Sequence, residues 1–460
     1  MSFHTVNPTN GSILNNYDFI TREKLFSSLQ QAHDAYTSWR QLSLDQRQEY
    51  FKKLLLILEN KAIVLSEMSG LEVGKPVAEG RAEVSKCAGL VQHYIDNAAT
   101  YLQSKSIQAD GKEHRVDYAP LGVILSVMPW NFPYWQIMRF CVPSLMAGNT
   151  TLVKPALESA ECALQLEQCF IQAGFPAGVF QVVLARHGDI EEIISSPLIA
   201  GFSFTGSTNS GKHLAGLAGK NLKKVVLELG GSDPFIMLPD ANFDHACQEA
   251  ARSRLLNCGQ SCIAAKRLIV PKEKLQEVSQ KLQKHFEKRV IGDPLSEETT
   301  LGPLYSKKAV VALQAVVEDA LSKGARIFWQ GKMTPAFSQV GDFFAPMILS
   351  NINSSMRVYH EEVFGPIALL LSYESVDEAL VIANSTHFGL GASVWGHSQE
   401  ELNYFATNLE VGSVFINAMV KSDARMPFGG VKESGLGREL SQWGIQEFTN
   451  IKAINIYPEL

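Results

Sequence analysis

The sequence predicts an α/β protein with a doubly wound parallel sheet, a second α/β domain and a small β extension. Short, nearly all-apolar runs rich in β-forming residues follow one another after Pro120, and helical patterns separate them. Apolar strands that alternate with helices are typical of a parallel sheet covered on both faces. A chain of 460 residues is also too long for one hydrophobic core, so we expect two or three domains.

The first domain combines amphipathic helices with a series of buried strands. Apolar positions at helical spacing predict helices over residues 22–68, and a further helix is predicted over 158–174. The predicted strands are residues 121–127, 150–154, 178–184, 200–204 and 224–229. This order is that of a doubly wound nucleotide-binding domain, which we assign to residues 1–105 and 121–229.

A second alternation of helices and strands predicts a separate domain over residues 230–430, beginning close to the Gly-Gly-Ser-Asp-Pro segment at 230–234. Its predicted helices are 242–256, 272–289, 306–323 and 375–385, and its predicted strands are 267–270, 366–371 and 412–416. Two alternating polar–apolar segments lie outside both domains: residues 106–120, a hairpin with Asp-Gly at its turn, and residues 446–458. Segments of this kind suit strand exchange between subunits.

Composition and charge argue against several classes of function. The chain has 46% hydrophobic and 19% charged residues and a net charge of −6, with no basic face for nucleic acid or an anionic membrane. No uncharged apolar run approaches the roughly 18 residues of a membrane span, and the N-terminus shows no targeting pattern. The seven scattered cysteines, without Cys-x-x-Cys, indicate a reducing compartment and neither disulfides nor structural zinc. We expect a cytoplasmic protein without nucleic-acid or membrane partners.

The segment FTGSTNSGK, residues 204–212, runs from a predicted strand through a glycine-bounded turn into a helix. Free amides at that helix N-terminus would attract a phosphate. The segment is not GxGxxG, and it departs from the phosphate loop GxxxxGK[ST] only at His213, which has no hydroxyl to hold magnesium. A dinucleotide pyrophosphate is favoured, and a nucleoside triphosphate or a plain helix cap is the alternative.

Two polar residues, Asn131 and Glu228, are candidates for a catalytic role. Asn131 follows the predicted strand 121–127 and could donate to a developing oxyanion, or it could cap the helix that begins near Tyr134. Glu228 lies inside an apolar strand, so it must be paired, capping or functional. Because burial raises the pKa of a carboxyl group, Glu228 is suited to act as a general base.

The segment LNCGQSC places Cys258 and Cys262 close to Gly259. A nucleophilic cysteine needs a depressed pKa and a backbone that lets a ligand approach closely, which a glycine-bearing turn permits. A single cysteine is, however, more often a small buried hydrophobic residue. The segment alone leaves both interpretations open.

Taken in order, these segments resemble the aldehyde dehydrogenase superfamily over essentially the full length of the chain. The matching motifs are PWNFP (129–133), LVKPA (152–156), FTGS (204–207), LELGG (227–231), NCGQSC (257–262), EEVFGP (361–366) and PFGGVKESGLGRE (427–439). The separation of 34 residues between Glu228 and Cys262 is also usual in the family. The resemblance implies that the segments 106–120 and 446–458 bridge subunits of a homodimer or homotetramer.

The resemblance also implies a role for each matching residue. Cys262 would be the nucleophile, Glu228 the base that activates the deacylating water, and Asn131 the oxyanion donor together with the Cys262 amide. The implied cofactor-binding residues are Trp130, Lys154, Phe204, Gly206, Ser207, Glu362 and Phe364. The implied reaction oxidises an aldehyde to a carboxylic acid through a thioester on Cys262, with NAD or NADP and without a metal, and residues 230–430 would be the catalytic domain.

Within the family, the sequence is most similar to bacterial succinate semialdehyde dehydrogenases, notably in LELGGSDPFIML and SDARMPFGGVKESGLGREL. Arg139, Ser422 and Arg425 stand where the distal carboxylate of a short semialdehyde would bind. Arg139 could instead form a structural salt bridge. An arginine that many such enzymes carry six residues before the nucleophile is Leu256 here. Succinate semialdehyde is the expected substrate, and another short or general aldehyde is the alternative.

Cofactor preference and the fate of the acyl group stay open at this stage. Leu157 stands where NAD-preferring members often carry a glutamate that binds the adenine ribose, so NADP is allowed beside NAD. Members that transfer the acyl group to CoA commonly lack the base glutamate, so Glu228 favours hydrolysis. The complete set of Asn131, Glu228 and Cys262 argues against an inactive member with a binding or structural role.

Overall fold

The computed structural model of the protein describes residues 1–333, 337 and 340–459. Within these residues the strands form five sheets, of six, seven, three, two and two strands. Among the helices described, none combines the length and the apolar character that crossing a bilayer requires. The two largest sheets and the three-stranded sheet correspond to the three parts that the sequence predicts.

The six-stranded sheet reverses its strand order beside the central strand Val123–Met128. In spatial order its strands are Gly435–Leu436, Lys224–Glu228, Ile199–Thr205, Val123–Met128, Thr150–Pro155 and Phe180–Val182. All pairings are parallel except that of Gly435–Leu436. In open α/β sheets a ligand binds where the order reverses, at the carboxyl ends of the strands. Here that position lies beyond Val123–Met128 and Ile199–Thr205.

Both faces of this sheet are buried, which explains why its strands are continuous apolar runs. Along Val123–Met128, Leu125 and Val127 pack in one core cluster, whereas Ile124 and Met128 pack in another. This alternation is the two-residue period of a strand. The cluster around Leu125 includes buried residues from the helices Arg22–Trp39, His187–Ile194 and Thr208–Lys220. The cluster around Ile124 includes buried residues from the helices Leu44–Asn60, Ala62–Val73, Val77–Tyr101, Trp135–Met146 and Ala160–Gln172.

The seven-stranded sheet has its own hydrophobic core. In spatial order its strands are Arg326–Gln330, Met347–Ser350, Ile367–Tyr373, Arg267–Pro271, Pro234–Met237, Gly391–Trp395 and Ser413–Ile416. Only the pairing of Arg326–Gln330 is antiparallel among those described. Its α-helices are Phe243–Leu255, Leu275–Phe286, Lys307–Ser322, Arg357–His360, Val376–Asn384 and Gln399–Asn408. The strand Arg267–Pro271 at its centre follows directly on the segment that carries Cys262.

The three-stranded sheet stands outside both large sheets. Thr449–Ile456 pairs antiparallel with Glu113–Pro120 along all eight residues, and Lys105–Ser106 borders the other edge of Glu113–Pro120. The outer edge of Thr449–Ile456 has no strand partner among the described residues. Most of its side chains are exposed, including Ile451 at 64%. An open edge with exposed apolar residues is suited to pairing with another chain.

The elements predicted from sequence are confirmed to within three residues at each end, except that the helical region predicted over 22–68 extends to Val73. The region 22–68 consists of three helices, because turns at residues 40–43 and at Lys61 interrupt the amphipathic pattern. The structure adds elements that the sequence did not predict. These are the strands Ser2–Val6, Ile13–Asp18, Pro234–Met237, Arg326–Gln330, Met347–Ser350, Phe388–Gly389, Gly391–Trp395, Val431–Lys432 and Gly435–Leu436, and the α-helices Val77–Tyr101, His187–Ile194, Arg357–His360, Gln399–Asn408 and Ser441–Glu447.

Candidate active site

The residues predicted to carry the chemistry meet at the carboxyl end of the six-stranded sheet. Glu228 is the last residue of its strand, and Asn131 lies just beyond Val123–Met128. The loop that precedes the central strand of the other sheet brings Cys262 beside them. All three residues line one cavity of about 230 Å³. The fold therefore joins residues that are 131 positions apart at the extremes, Asn131 and Cys262.

Cys262 lies at the junction of two cavities. It lines the cavity that contains Asn131 and Glu228, and also a second cavity of about 400 Å³. Gln136 lines both cavities as well. The other six cysteines are buried, whereas Cys262 is partly exposed. A thiol in this position can meet one ligand from each side.

The loop that carries Cys262 has an unusual backbone. Asn257 and Cys258 have φ values of 51° and 54°, in the left-handed region that side chains other than glycine rarely adopt. The next residue, Gly259, has a φ of 74°, and a Cβ atom there would clash with the carbonyl group of Gly365. Strain of this kind costs on the order of 1–3 kcal/mol per residue and persists only where surrounding contacts impose it.

Asn131 and Glu79 supply part of those contacts. The side-chain amide of Asn131 donates to the carbonyl oxygen of Gln260 at 3.1 Å, and Asn257 Nδ2 donates to the Asn131 carbonyl at 2.6 Å. The backbone amide of Asn257 donates to Glu79 Oε2 at 2.7 Å. Asn131 thus holds the nucleophile loop with one amide proton, and its second amide proton remains to serve a ligand.

The alternative role of Asn131 as a helix cap is taken by another residue. The helix is Trp135–Met146, and the carboxylate of Glu83 accepts hydrogen bonds from the backbone amides of Tyr134 and Trp135, both at 2.9 Å. A carboxylate at this end also interacts favourably with the helix dipole. This contact was not predicted from the sequence, because Glu83 lies on another helix, 51 residues before Tyr134.

Two buried cations tie the nucleophile loop to the segment that carries Glu362 and Phe364. Lys266 Nζ donates to the carbonyl oxygens of Ser261 at 2.8 Å and Cys262 at 2.6 Å, and it lies 3.1 Å from Glu362 Oε1.

The second of these cations is Arg254. Its Nη2 donates to the carbonyl oxygens of Gly259 at 2.8 Å and Val363 at 3.1 Å, and also to that of Gly365. Sequence reasoning missed both cations. The sequence feature that could have identified them is a charged residue beside an apolar segment, because a charge that is buried must find partners.

Glu228 is almost completely buried, and neither of its carboxylate oxygens has a hydrogen-bond partner among the described residues. Burial raises its pKa to about 8, the charge of Arg139 opposes this increase, and the charge of Glu439 adds to it. A carboxylate with a pKa near the working pH is suited to take a proton from water or from another group in the same cavity.

Burial acts on the Cys262 thiol in the same direction, so the structure does not show the depressed pKa that a nucleophilic cysteine is expected to have. Burial raises its pKa to about 12, and the nearby charges of Lys266 and Arg139 oppose this increase. Cys258 is fully buried, and burial raises the pKa of its thiol above the ordinary range. Since the thiolate is the reactive form, accessibility and the two cations favour Cys262 over Cys258 as the nucleophile.

The smaller cavity has the features of a nicotinamide-nucleotide site. Its lining includes the predicted residues Trp130, Gly206, Ser207, Glu362 and Phe364. A Cβ atom at Gly206 would lie 2.6 Å from the Phe204 ring, so only glycine leaves this space open. The helix that follows Ser207 presents its free N-terminal amides here, which suits a phosphate.

Aromatic rings and a fixed carboxylate complete this cavity. The ring of Trp130 stacks on Tyr305 with centroids 3.7 Å apart and meets the edge of Phe364 at 5.9 Å. The carboxylate of Glu362 accepts from the amide of Gly231 at 3.2 Å. An apolar wall with one oriented carboxylate suits a ring and a ribose hydroxyl, so the residues present fit the nucleotide.

Two of the predicted cofactor residues lie elsewhere. Lys154 lines a separate cavity of about 240 Å³, together with His187, Ser210 and His213. Phe204 does not line any of these cavities. Its ring is buried in the core of the six-stranded sheet, below Gly206, because its strand position alternates towards the packed face. The structure therefore does not place the Phe204 side chain where the sequence predicted it.

The structure places only two of the three predicted substrate residues in one cavity. Arg139 and Ser422 line the cavity of about 400 Å³, together with Leu256. Arg139 is 2% exposed, forms an ion pair with Glu439 and lies over the Phe428 ring at 4.7 Å from its centroid.

Arg425 does not reach that cavity. Its side chain is 76% exposed and forms an ion pair with Asp423 at 2.7 Å. The neighbouring acidic residue in the sequence SDAR holds this guanidinium at the surface, away from Ser422. The prediction that Arg425 contributes to a carboxylate clamp is therefore corrected by its placement in the structure.

A sequence model described as the aldehyde dehydrogenase family matches residues 1–454. A protein of Synechocystis sp. named as a probable NADP(+) succinate-semialdehyde dehydrogenase is 40% identical over 454 residues, 99% of each chain. A Deinococcus radiodurans protein named as an NADP(+) succinate-semialdehyde dehydrogenase is 40% identical over 456 residues, 99% of this chain and 95% of its own.

Solved structures agree with these matches. A succinic semialdehyde dehydrogenase from Streptococcus pyogenes, in complex with NADP+, superposes with a TM-score of 0.96 at 34% identity, over 99% of this chain and 100% of that one. An NADP-dependent enzyme of E. coli gives a TM-score of 0.96 at 35% identity, over 100% of this chain and 95% of that one.

The exposure of Cys262 gives a prediction about its alkylation. Iodoacetamide should modify Cys262 of the native protein first and leave the six buried cysteines unmodified, as measured by mass spectrometry of peptides. Since its pKa is raised to about 12, the rate should keep rising with pH over the alkaline range without reaching a plateau. Protein unfolded in urea should be modified at all seven positions. Earlier modification of Cys258 would contradict the placement of the nucleophile.

Proposed function

Because the chain belongs to the aldehyde dehydrogenase family, we propose that it oxidises succinate semialdehyde to succinate with NADP⁺. The observation that carries the proposal is the position of Cys262 at the junction of two cavities, one suited to a nucleotide and one lined by cationic residues. An aldehyde and a nucleotide can therefore meet at one thiol. The names of the relatives in Synechocystis and Deinococcus support the choice of substrate and cofactor.

The first half of the reaction uses Cys262 and Asn131. The Cys262 thiolate adds to the aldehyde carbon, so that a carbon–sulfur bond forms and the carbonyl oxygen becomes an oxyanion. The free amide proton of Asn131 can donate to that oxyanion, because its other amide proton is held by Gln260. Bound NADP⁺ supplies the acceptor for the hydride that leaves the same carbon. A thioester on Cys262 remains.

The second half uses Glu228. Its carboxylate lines the same cavity as Cys262 and has no hydrogen-bond partner among the described residues, so it is available to a water molecule. Glu228 takes a proton from water, the resulting hydroxide adds to the thioester carbon, and the carbon–sulfur bond breaks to release the acid and the thiolate. A buried base in this cavity favours water as the acyl acceptor over CoA.

Glu228→Gln should separate the two halves. The variant should release about one NADPH per active site in a burst and then turn over about 10²–10⁴-fold more slowly, because acylation precedes the step that needs the base. Stopped-flow absorbance of NADPH measures both phases. Cys262→Ala should show neither phase while still binding cofactor. If Glu228→Gln showed no burst, the glutamate would act in acylation instead.

The raised pKa of Glu228 adds a pH dependence to the same measurement. The base must be deprotonated, and its pKa in this structure is raised to about 8, so active base is lost as the pH falls through that value. Steady-state turnover of the unmodified enzyme should therefore rise with pH through about 8, and that of Glu228→Gln should lack this rise.

The proposed nucleotide contacts extend beyond the smaller cavity. Trp130, Ser207, Glu362 and Phe364 would hold the nicotinamide half and the pyrophosphate. Lys154 would reach the adenine ribose from the neighbouring cavity of about 240 Å³.

The lining of that neighbouring cavity supports a preference for NADP⁺. Lys154, His187, Ser210 and His213 supply donors for a 2′-phosphate, and the one carboxylate in the lining, Glu191, lies 3.0 Å from the ring of His213. Leu157 adds no carboxylate that would repel the 2′-phosphate, so the proposed adenine-ribose site is compatible with NADP⁺.

The larger cavity supports a substrate that carries a negative charge. The cationic residues in its lining are Lys86, Arg139, Arg252, Arg289 and Lys421, and the acidic ones are Glu79 and Glu83. An excess of cations attracts an aldehyde with a distal carboxylate and gives no advantage to a neutral one. We include Arg139 and Ser422 among the substrate-binding residues, because both line this cavity.

A panel of aldehydes tests the proposal directly. The enzyme should have a kcat/KM for succinate semialdehyde at least about tenfold above that for butanal, since a charge-assisted hydrogen bond contributes about 1.5–3 kcal/mol. With either aldehyde, NADP⁺ should give a higher kcat/KM than NAD⁺. Absorbance of the reduced nucleotide measures all four combinations. Equal rates for the two aldehydes would contradict the substrate, and a preference for NAD⁺ would contradict the cofactor.

We further propose that the chain forms a homodimer or homotetramer through its three-stranded sheet. The open edge of Thr449–Ile456 and the exposed side chains of Ile451 and Tyr457 support this assembly. An edge strand with apolar side chains otherwise favours aggregation, so a defined partner strand is the stable solution.

Ile451→Asp should weaken that assembly, because it places a charge on the exposed apolar strand. Light scattering should show a shift of the molar mass towards that of the 50.7 kDa chain. The matched control is Ile171→Asp on the helix Ala160–Gln172, where an isoleucine of similar exposure should tolerate the charge. An unmodified protein that already has the mass of one chain would overturn the proposal.

We also propose a cytoplasmic location. All seven cysteines are unpaired in the structure, which fits a reducing compartment. The reaction proposed for Cys262 needs a free thiol as well, so an oxidising compartment would threaten the activity.

A further inference from the structure

The cavity of about 400 Å³ contains a cation whose partners leave its charge available. Lys86 lies on the helix Val77–Tyr101. Its Nζ atom donates to Ser422 Oγ at 2.6 Å and lies 4.0 Å from the centroid of the Trp135 ring. Neither of these two contacts is a carboxylate, and the negative charges of Glu83 and Asp423 act on the ammonium group without forming an ion pair with it among the described residues. Within the described part of the chain, its contacts are thus a hydroxyl and an aromatic face.

The other cations of this cavity are balanced or stand at its surface. Arg139 forms its buried ion pair with Glu439, so its charge is largely compensated. Arg252 is 65% exposed and lies 3.7 Å from Glu249. Arg289 lies in the field of Glu79.

The remaining cation in the lining, Lys421, is exposed to solvent. Lys86 is exposed as well, but its ammonium group is held by Ser422 and by the face of Trp135, whereas the Lys421 side chain has no hydrogen bond or ion pair among the described residues. Lys86 is the cation of this cavity that is both held in place by protein contacts and free of a carboxylate partner among the described residues.

We propose that Lys86 and Ser422 together bind the distal carboxylate of the substrate, and that Lys86 supplies the charge that selects it. This inference rests on the proposed function. An ammonium group has three donor protons. One is donated to Ser422 and a second points at the face of the Trp135 ring, so the third is left for an anion. The Ser422 oxygen accepts from Lys86, and its own hydroxyl proton is therefore free to donate to the same carboxylate.

The pair also spans two parts of the chain. Lys86 belongs to a helix that covers the six-stranded sheet, and Ser422 lies in the segment after the last strand of the seven-stranded sheet. Their hydrogen bond fixes the two donors relative to each other before a substrate arrives. Donors held in place in advance lose less conformational freedom on binding, which increases affinity.

Lys86→Met tests the proposal, since methionine keeps much of the stem and removes the charge. We expect KM for succinate semialdehyde to rise by about 10- to 100-fold with kcat little changed, and kcat/KM for butanal to change by less than about threefold. The inhibition constant of succinate against butanal oxidation should rise by a similar factor. This constant measures carboxylate binding without using the charged aldehyde as substrate.

Two further variants separate charge from packing. Lys86→Arg keeps a cation and should recover most of the affinity for succinate, whereas Ser422→Ala should lose about three- to tenfold, because it removes one of two donors. Lys52→Met is the matched control, because this lysine is exposed on the helix Leu44–Asn60 and, among the described residues, forms an ion pair only with Glu49.

Several outcomes would overturn the inference. Equal losses for succinate semialdehyde and butanal in Lys86→Met would show a structural role. Unchanged inhibition by succinate would show that another group binds the carboxylate. If Lys86→Met failed to fold, as measured by thermal melting, Lys86→Arg and Ser422→Ala would decide in the same assay. An unmodified enzyme without preference for the charged aldehyde would instead refute the proposed function, so the two failures are distinguishable.

Discussion

The active site depends on one loop that cannot hold its conformation alone. Residues 256–262 include three residues with left-handed φ values, Asn257, Cys258 and Gly259, and the loop keeps this conformation because surrounding groups bind its carbonyl oxygens. Arg254 and Lys266 are buried completely, which is costly unless every donor finds an acceptor. The loop and the segment around Glu362 supply acceptors for Lys266 Nζ and Arg254 Nη2, whereas Nε and Nη1 of Arg254 have no hydrogen-bond partner among the described residues. These hydrogen bonds hold Cys262 beside the cavity that suits a nucleotide.

The second constraint is the burial of a carboxylate without hydrogen-bond partners. In its ionised form, the buried Glu228 carboxylate raises the free energy of the folded state. The same burial raises its pKa to about 8, which suits a general base. Its surroundings allow close approach, because a Cβ atom at Gly429 would lie 2.8 Å from Glu228 Oε1 and the φ of Gly429 is +151°. The nearby ion pair of Arg139 and Glu439 adds a charge of each sign. The catalytic use proposed for Glu228 and the stability of the fold are therefore opposed at this residue.

The two large sheets were predictable because their strands are buried on both faces and therefore stand out as apolar runs between helices. Pro234–Met237 and Gly391–Trp395 were missed, although both are interior strands of the seven-stranded sheet. Strands of four or five residues have too few positions to show a period. Gly435–Leu436 was missed for a different reason, since two residues pair with a strand about 200 positions earlier only through the tertiary fold.

The sequence by itself determined the family, the parallel sheets and the set of Asn131, Glu228 and Cys262, because these depend on local motifs and their order. Only the tertiary structure decided which charges line the cavity proposed for the substrate. Arg425 is held at the surface by Asp423, Arg139 is balanced by Glu439, and Lys86 reaches the cavity from a distant helix. A charge acts through its distance to neighbouring charges and through its burial, and both are properties of the folded chain.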